Sequence, residues 1–246
     1  MKAMVFAAGL GTRLRPLTDD RPKALVEVCG VPLLELALRR LLAAGCREVI
    51  VNVHHFAEKV IAFLEQKNHF GIRIAISDES GQLLETGGGL QKAAWFFDDG
   101  QPFLVCNADV ITDMDLAAFY RTHLHSGALA TLAVRDRPSS RYFIFDEKMQ
   151  LAGWQNSKSG EQVYCRPATP ADRPLAFSGI HAVSPAIFRW MPKGGVEKFS
   201  IIDTYLQAAA TETILGYPHN GDRWMDVGTP EALALAQQAL SNKLKY

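Results

Sequence analysis

The sequence predicts an α/β fold: a Rossmann-like, mostly parallel sheet with helices on both faces and a small β insertion. Three observations predict it. Apolar runs of strand length alternate with segments of helical period through the first half of the chain, and strand–helix alternation implies parallel strands joined by right-handed crossovers. A glycine-rich turn follows the first strand directly, where exposed backbone N–H groups can line an anion nest. Between about residues 135 and 174 the helical period stops and Pro, Ser, Arg and Gly become frequent, which reads as an inserted β-ribbon or loop region.

Taken in order, residues 3–8 form a buried apolar strand. Residues 32–44 have helical periodicity, with Pro32 at the start and Gly45 just past the end, the usual placement of these two residues around a helix. Residues 48–53 read as a strand, 57–66 as a helix, 72–76 as an alternating strand, and 90–97 as a helix. A short buried strand is expected at 103–106, a helix at 114–125 and a strand at 128–134. After the insertion come a strand at 175–183, a helix at 201–210, a last strand at 223–227 and a helix following Pro230.

With 246 residues, 48% hydrophobic and 21% charged, the chain suits one compact domain. Lys plus Arg, 26, equals Asp plus Glu, 26, so the basic field of a nucleic-acid-binding surface is missing. The cysteines Cys29, Cys46, Cys106 and Cys165 are scattered and form no C-x-x-C pair, as in a reduced compartment rather than a disulfide framework or zinc site. No apolar run approaches the ~18 residues of a membrane span. The apolar start is too short for a signal segment, so the expected location is the cytoplasm.

The turn reads Ala7-Ala8-Gly9-Leu10-Gly11-Thr12-Arg13-Leu14-Arg15-Pro16-Leu17-Thr18. It is neither a dinucleotide fingerprint, which needs a third glycine where Leu14 stands, nor a P-loop, which needs Gly-Lys-Ser/Thr. Arg13, Arg15, Arg21 and Lys23 all lie close behind the glycines, and such a set of cations suits a triphosphate. The segment from Gly9 to Val26 resembles the signature of the sugar-phosphate nucleotidyltransferases, G-x-G-T-R-L-x-P-L-T followed by P-K. The resemblance continues through Glu85-Thr86-Gly87-Gly88-Gly89, Asn107-Ala108-Asp109, Phe177-Ser178-Gly179-Ile180 and Trp224-Met225-Asp226-Val227-Gly228-Thr229, nearly end to end.

That resemblance implies one nucleotidyltransferase domain over 1–246, with nucleotide in a half covering about 1–110 and sugar phosphate in a half covering about 111–246. It implies nucleotide contacts from Ala7, Ala8, Gly9, Gly11, Thr12 and Asn107. It sets Glu85, Gly87 and Gly88 against the base and ribose. It also implies a sugar pocket at Phe177, Ser178 and Gly179, and catalytic cations at Arg13 and Lys23.

Asp109 and Asp226 each follow or end a strand, and ligands of an open parallel sheet sit outside the carboxyl ends of its strands. Mg²⁺ takes oxygen ligands from one or two carboxylates, with phosphates and water completing the shell. Within the family motifs the two aspartates are therefore expected to hold Mg²⁺. Asp113-Met114-Asp115 looks like the D-x-D of metal-dependent glycosyltransferases but opens a helix, where Asp is a common cap. His54-His55 lack a third ligand at metal spacing and read as strand-end residues. The lysine that grips the sugar phosphate in many relatives has no clear counterpart; Lys158 and Arg166 compete for the role.

The reaction implied joins a nucleoside triphosphate to a sugar 1-phosphate, giving an NDP-sugar and pyrophosphate. The Glu85–Gly89 and Phe177–Ile180 motifs look closest to those of cell-wall recycling members that use UTP and N-acetylmuramate 1-phosphate. The alternative is GTP with mannose 1-phosphate or heptose 1-phosphate. The expected partners are these small molecules, with no nucleic acid and no membrane, on a monomer or homodimer. A rival of another class is a non-catalytic sensor of nucleotide or sugar phosphate; retention of Arg13, Lys23, Asp109 and Asp226 together argues against it.

Overall fold

The computed structural model describes residues 1–241; residues 242–246 of the expected domain lie outside the described residues. The elements run β1 (Lys2–Phe6), β2 (Glu27–Val28), β3 (Val31–Pro32), α1 (Leu33–Ala43), β4 (Glu48–Val53), α2 (Ala57–Gln66), β5 (Arg73–Asp78), α3 (Glu85–Lys92) and β6 (Phe103–Asn107). There follow β7 (Val110–Thr112), α4 (Leu116–Ser126), β8 (Ala130–Arg135), β9 (Arg141–Phe145), β10 (Leu151–Asn156), β11 (Gln162–Tyr164), β12 (Arg173–Val183), α5 (Ile201–Ala208), β13 (Ile214–Pro218), β14 (Trp224–Asp226) and α6 (Pro230–Leu240). The expected α/β class is the one found.

The chain forms two compact units, each built from more than one stretch of sequence. The first comprises Met1–Leu83, Cys106–Leu116 and the stretch from Arg223 onward; the second comprises Leu84–Val105 and Ala117–Asp222.

In the first unit β1, β4 and β5 are parallel and in register, Met4 beside Ile50 and Ile50 beside Ala75. Their side chains are almost wholly buried in β1 and β4, as the continuous apolar runs require of strands covered on both faces. The connecting α1 buries Leu33, Leu34, Ala37, Leu38 and Leu41, an i, i+4, i+8 stripe. Beyond its end Gly45 takes φ +94°, which only glycine adopts without strain. A separate core of Leu14, Val26, Val28, Leu33, Ile111, Val227, Leu233, Ala236 and Leu240 ties the loop after β1, the turn into β7, β14 and α6 together.

In the second unit β8 pairs in parallel with β13 and antiparallel with β12. The insertion is an antiparallel meander, β9–β10–β11, joined to β12 through β9. Phe97, Phe103 and Phe188 stack in the core of this unit.

Two expectations shift. The helix expected at 90–97 begins five residues earlier, at Glu85, so the three glycines are helical. The strand β13 is not legible in the sequence, because Gly216 and Pro218 interrupt its apolar run. Gly216 is required by packing: a Cβ there would lie 2.6 Å from Met149 Cε and 2.9 Å from the Phe145 ring.

Candidate active site

The carboxyl ends of the three parallel strands of the first unit are cross-linked by buried polar groups. The Ala7 N–H donates to Asn52 Oδ1 at 2.7 Å, and Asn52 Nδ2 donates to Glu79 Oε1 at 2.7 Å. Asn52 is 2% and Glu79 1% exposed, so these bonds form in a low-dielectric interior where unpaired polar groups are costly. The His54 ring bonds the Glu79 carbonyl through Nδ1 at 2.7 Å, in keeping with a residue that finishes a strand. The Ala7 N–H is therefore committed to the protein, and the open part of the glycine loop begins at Gly9, whose Cβ position faces empty space.

The loop then folds on itself. Gly11 adopts φ +66°, and a Cβ there would stand 2.9 Å from Thr18 Cγ2 and 3.0 Å from Lys23 Cβ. The Thr18 hydroxyl donates to the Gly11 carbonyl at 2.9 Å. This close approach holds the stem of Lys23 against the glycine loop. Leu14 is fully buried and anchors the turn Thr12–Leu14 that carries Arg13.

Four site side chains come together within this unit. Lys23 forms an ion pair with Asp109, both side chains largely sheltered. The Val227 N–H donates to the Asp109 carbonyl at 2.9 Å, and Asp226 stands opposite Val110 in the antiparallel β7–β14 pair. Two aspartates distant in sequence are thus carried on adjoining backbone. At Gly228 an added Cβ would lie 2.7 Å from Arg13 Nη2 and 3.0 Å from Asp226 Oδ1, so the Arg13 guanidinium and the Asp226 carboxylate approach the same point. Each of the four sits beside a buried anchor: Leu14 for Arg13, Ala24 for Lys23, Val110 for Asp109 and Val227 for Asp226. The other loop cations differ: Arg15 pairs with Asp19 and Arg21 with Asp20, all well exposed.

Among the described residues no cluster of three or more His, Cys, Asp or Glu forms a metal cage. Asp109 and Asp226 offer hard oxygen donors only, the set that suits Mg²⁺ completed by phosphate and water rather than Zn²⁺. Asp113 plays a structural part, since its carboxylate accepts from the Arg223 N–H at 2.7 Å.

Of the remaining expected site residues, Ala8 and Asn107 belong to the first unit and Glu85, Gly87, Gly88, Phe177, Ser178 and Gly179 to the second. Glu85 opens α3 with φ +61° and lies 3.5 Å from Lys198 Nζ. The glycines after it serve the chain's own packing. A Cβ on Gly87 would fall 2.3 Å from the Phe199 ring, and one on Gly88 2.0 Å from the Glu197 carbonyl oxygen. Both glycine N–H groups donate to Phe199 O, at 2.9 and 3.3 Å. The close approach of residues 197–199 thus gives these helical glycines a packing role.

Ser178 is fully buried and its hydroxyl bonds His219 Nε2 at 2.7 Å. Burial, reinforced by Arg135 and Arg137, pushes His219 down to about 4. Phe177 packs edge-on against Phe143 and His181, and its carbonyl accepts from Arg137 Nη2 at 3.0 Å. Gly179 takes φ +72° where the β12–β8 register shifts between Phe177 and His181, a bulge that re-aims the strand. Of the two competing cations, Arg166 is tied to the Ala209 and Glu212 carbonyls and to Gln150, while Lys158 sits in an exposed turn closed by Asn156.

Sequence reasoning missed Asn52 and Gly228. The signal for Asn52 was a lone polar residue inside Val49-Ile50-Val51-Asn52-Val53. Gly228 falls within a family motif, but nothing local marks it as the place where Arg13 must fit.

Comparison with known proteins identifies the family. Residues 2–243 match the family described as nucleotidyl transferase. The N-acetylmuramate alpha-1-phosphate uridylyltransferase of Caulobacter vibrioides is 36% identical over 97% of this chain and 96% of its own. The enzyme of that name from Neisseria meningitidis serogroup B is 34% identical over 96% and 98%. In fold, the crystal structure of HddC from Yersinia pseudotuberculosis complexed with GMP-PN superposes with a TM-score of 0.78 at 21% identity, covering 97% of this chain and 99% of that one. The chain belongs to the nucleotidyl transferase family.

Proposed function

We propose that the protein transfers a uridylyl group from UTP to N-acetylmuramate 1-phosphate, releasing pyrophosphate. The observation that carries the reaction class is the grouping of Arg13, Lys23, Asp109 and Asp226 around one strand pair and one glycine loop. The choice of base and sugar is supported by the two uridylyltransferases that are 36% and 34% identical over nearly the whole chain.

A phosphomonoester, with a second pKa of about 6, is mostly dianionic at neutral pH, so the nucleophile needs no strong base. An oxygen of the sugar phosphate forms a bond to the α-phosphorus while the bond to the bridging β-oxygen breaks, and pyrophosphate departs. The protein's work is to align two anions and offset their repulsion. Lys23, once freed from Asp109, would stabilise the α-phosphoryl group. Arg13 and the open N–H groups of the loop from Gly9 onward receive the departing pyrophosphate. Asp109 and Asp226 are the residues that would hold Mg²⁺, which when bound would supply charge neutralisation on the phosphates.

The test is a matrix of four nucleoside triphosphates against a panel of sugar 1-phosphates, scored for pyrophosphate. UTP with N-acetylmuramate 1-phosphate is expected to give a kcat/KM at least about tenfold above any other pair. A preference for GTP with mannose 1-phosphate or heptose 1-phosphate would replace this substrate reading. Silence across the whole matrix would favour a non-catalytic sensor.

A further inference from the structure

Helix α1 presents an apolar face to the core, yet Arg40 sits on that face, seven residues after Leu33 and three after Ala37. Its neighbour Arg39 is exposed and pairs with Glu35 at 2.7 Å, so the two arginines have different roles. The Arg40 Nη1 donates to the Val110 carbonyl at 3.0 Å. Its Nε and Nη2 are buried with no hydrogen-bond partner among the described residues. The Cys106 thiol lies against the guanidinium and is neutral at ordinary pH, since burial pushes it up. A buried arginine remains charged, and a buried cation without a carboxylate is costly. An apolar residue at this helical position would pack without that cost.

What the guanidinium spans explains its presence. Cys106 and Val110 bracket Asn107-Ala108-Asp109, the stretch that turns from β6 into β7 and presents the carboxylate paired with Lys23. On the other side Ala108 N–H donates at 3.1 Å to the carbonyl of Phe6, where β1 ends. We propose that Arg40 is a positioning residue for nucleotidyl transfer: by holding the Val110 carbonyl at one end of the Cys106–Val110 turn and packing against Cys106 at the other, it fixes the backbone that aims Asp109. The inference rests on Asp109 belonging to the reacting site.

The test compares wild type with Arg40→Met, Arg40→Lys and Asp109→Asn. Arg40→Met keeps most of the side chain's length and removes the donors and the charge. Its kcat is expected to fall roughly 10- to 100-fold, the scale of a catalytic group displaced by about 1 Å. The KM values are expected to change less than about threefold. Hydrogen exchange in a peptide covering 106–112 is expected to quicken while β4 stays protected, and Arg40→Lys should recover part of kcat. Wild-type kcat in a folded Arg40→Met, or a fall matched by a rise in KM without local change in exchange, overturns the proposal. Where Arg40→Met does not fold, Arg40→Lys decides: lowered kcat with retained KM supports it, and full kcat refutes it. An active Asp109→Asn removes both this inference and the reading of the site. An inactive Asp109→Asn beside a fully active Arg40→Met removes this inference alone.

Discussion

Asn52 donates its amide to the buried carboxylate of Glu79 at 2.7 Å while accepting from the Ala7 N–H at the same distance. One side chain thereby fixes where β1 ends and the glycine loop begins. Asn52→Leu leaves both groups short of a partner, at an expected cost of about 2–5 kcal/mol. Urea unfolding measures it, and the KM for the triphosphate is expected to rise as the loop loses its anchor. An unchanged unfolding midpoint would remove Asn52 from this role.

Gly9 and Gly228 separate the proposed ligand contact from an internal one. A Cβ at Gly9 meets nothing within 4 Å, whereas one at Gly228 stands 2.7 Å from Arg13 Nη2. Gly9→Ala should leave thermal stability within about 0.5 kcal/mol and raise the KM for the triphosphate, because the methyl intrudes where phosphate approaches. Gly228→Ala should lower kcat by displacing Arg13. Equal kinetics for both variants and wild type would dissociate the loop from substrate.

Gly88→Ala tests the packing of α3. Its Cβ would overlap the Glu197 carbonyl oxygen at 2.0 Å, and a clash with backbone is relieved only by moving residues 197–199. The expected destabilisation is about 1–3 kcal/mol, read by denaturant unfolding and by faster proteolysis near Phe199. A variant as stable as wild type would show that the close approach is dispensable.

Stability should decline in weak acid. Burial, the first cause in each case, pushes His181 down to about 3 and His123 and His219 to about 4, from 6.5. The folded protein keeps these rings neutral, whereas the unfolded chain takes up protons as pH drops through about 6.5. Their contribution is complete above that value and is lost as pH falls toward 4 for His123 and His219 and toward 3 for His181, with a slope of at most about 1.4 kcal/mol per unit per histidine. Unfolding midpoints measured between about pH 7 and pH 5 should fall steadily; a flat profile would contradict the neutral assignment.

The strands of the first unit and their helices were legible because apolar runs and helical stripes are local patterns, and Glu48–Val53 and Ala57–Gln66 coincide with expectation. Elements set by distant contacts were not. Nothing near Gly87 and Gly88 in sequence reveals that residues 197–199, over a hundred positions away, pack beside them. The bond between the Ser178 hydroxyl and His219, forty-one residues on, was likewise not legible. The strand-end positions of Asp109 and Asp226 were legible from the motifs, but nothing local revealed that Lys23 pairs with Asp109 or that Gly228 approaches Arg13.

The proposed mechanism requires Asp109 to serve the transfer itself. The most direct measurement is the initial rate of pyrophosphate release by Asp109→Asn, with UTP, N-acetylmuramate 1-phosphate and Mg²⁺ saturating for wild type. A fall of roughly a thousandfold or more is expected, with an unfolding transition close to that of wild type. A folded Asp109→Asn protein releasing pyrophosphate at near wild-type rate would contradict it.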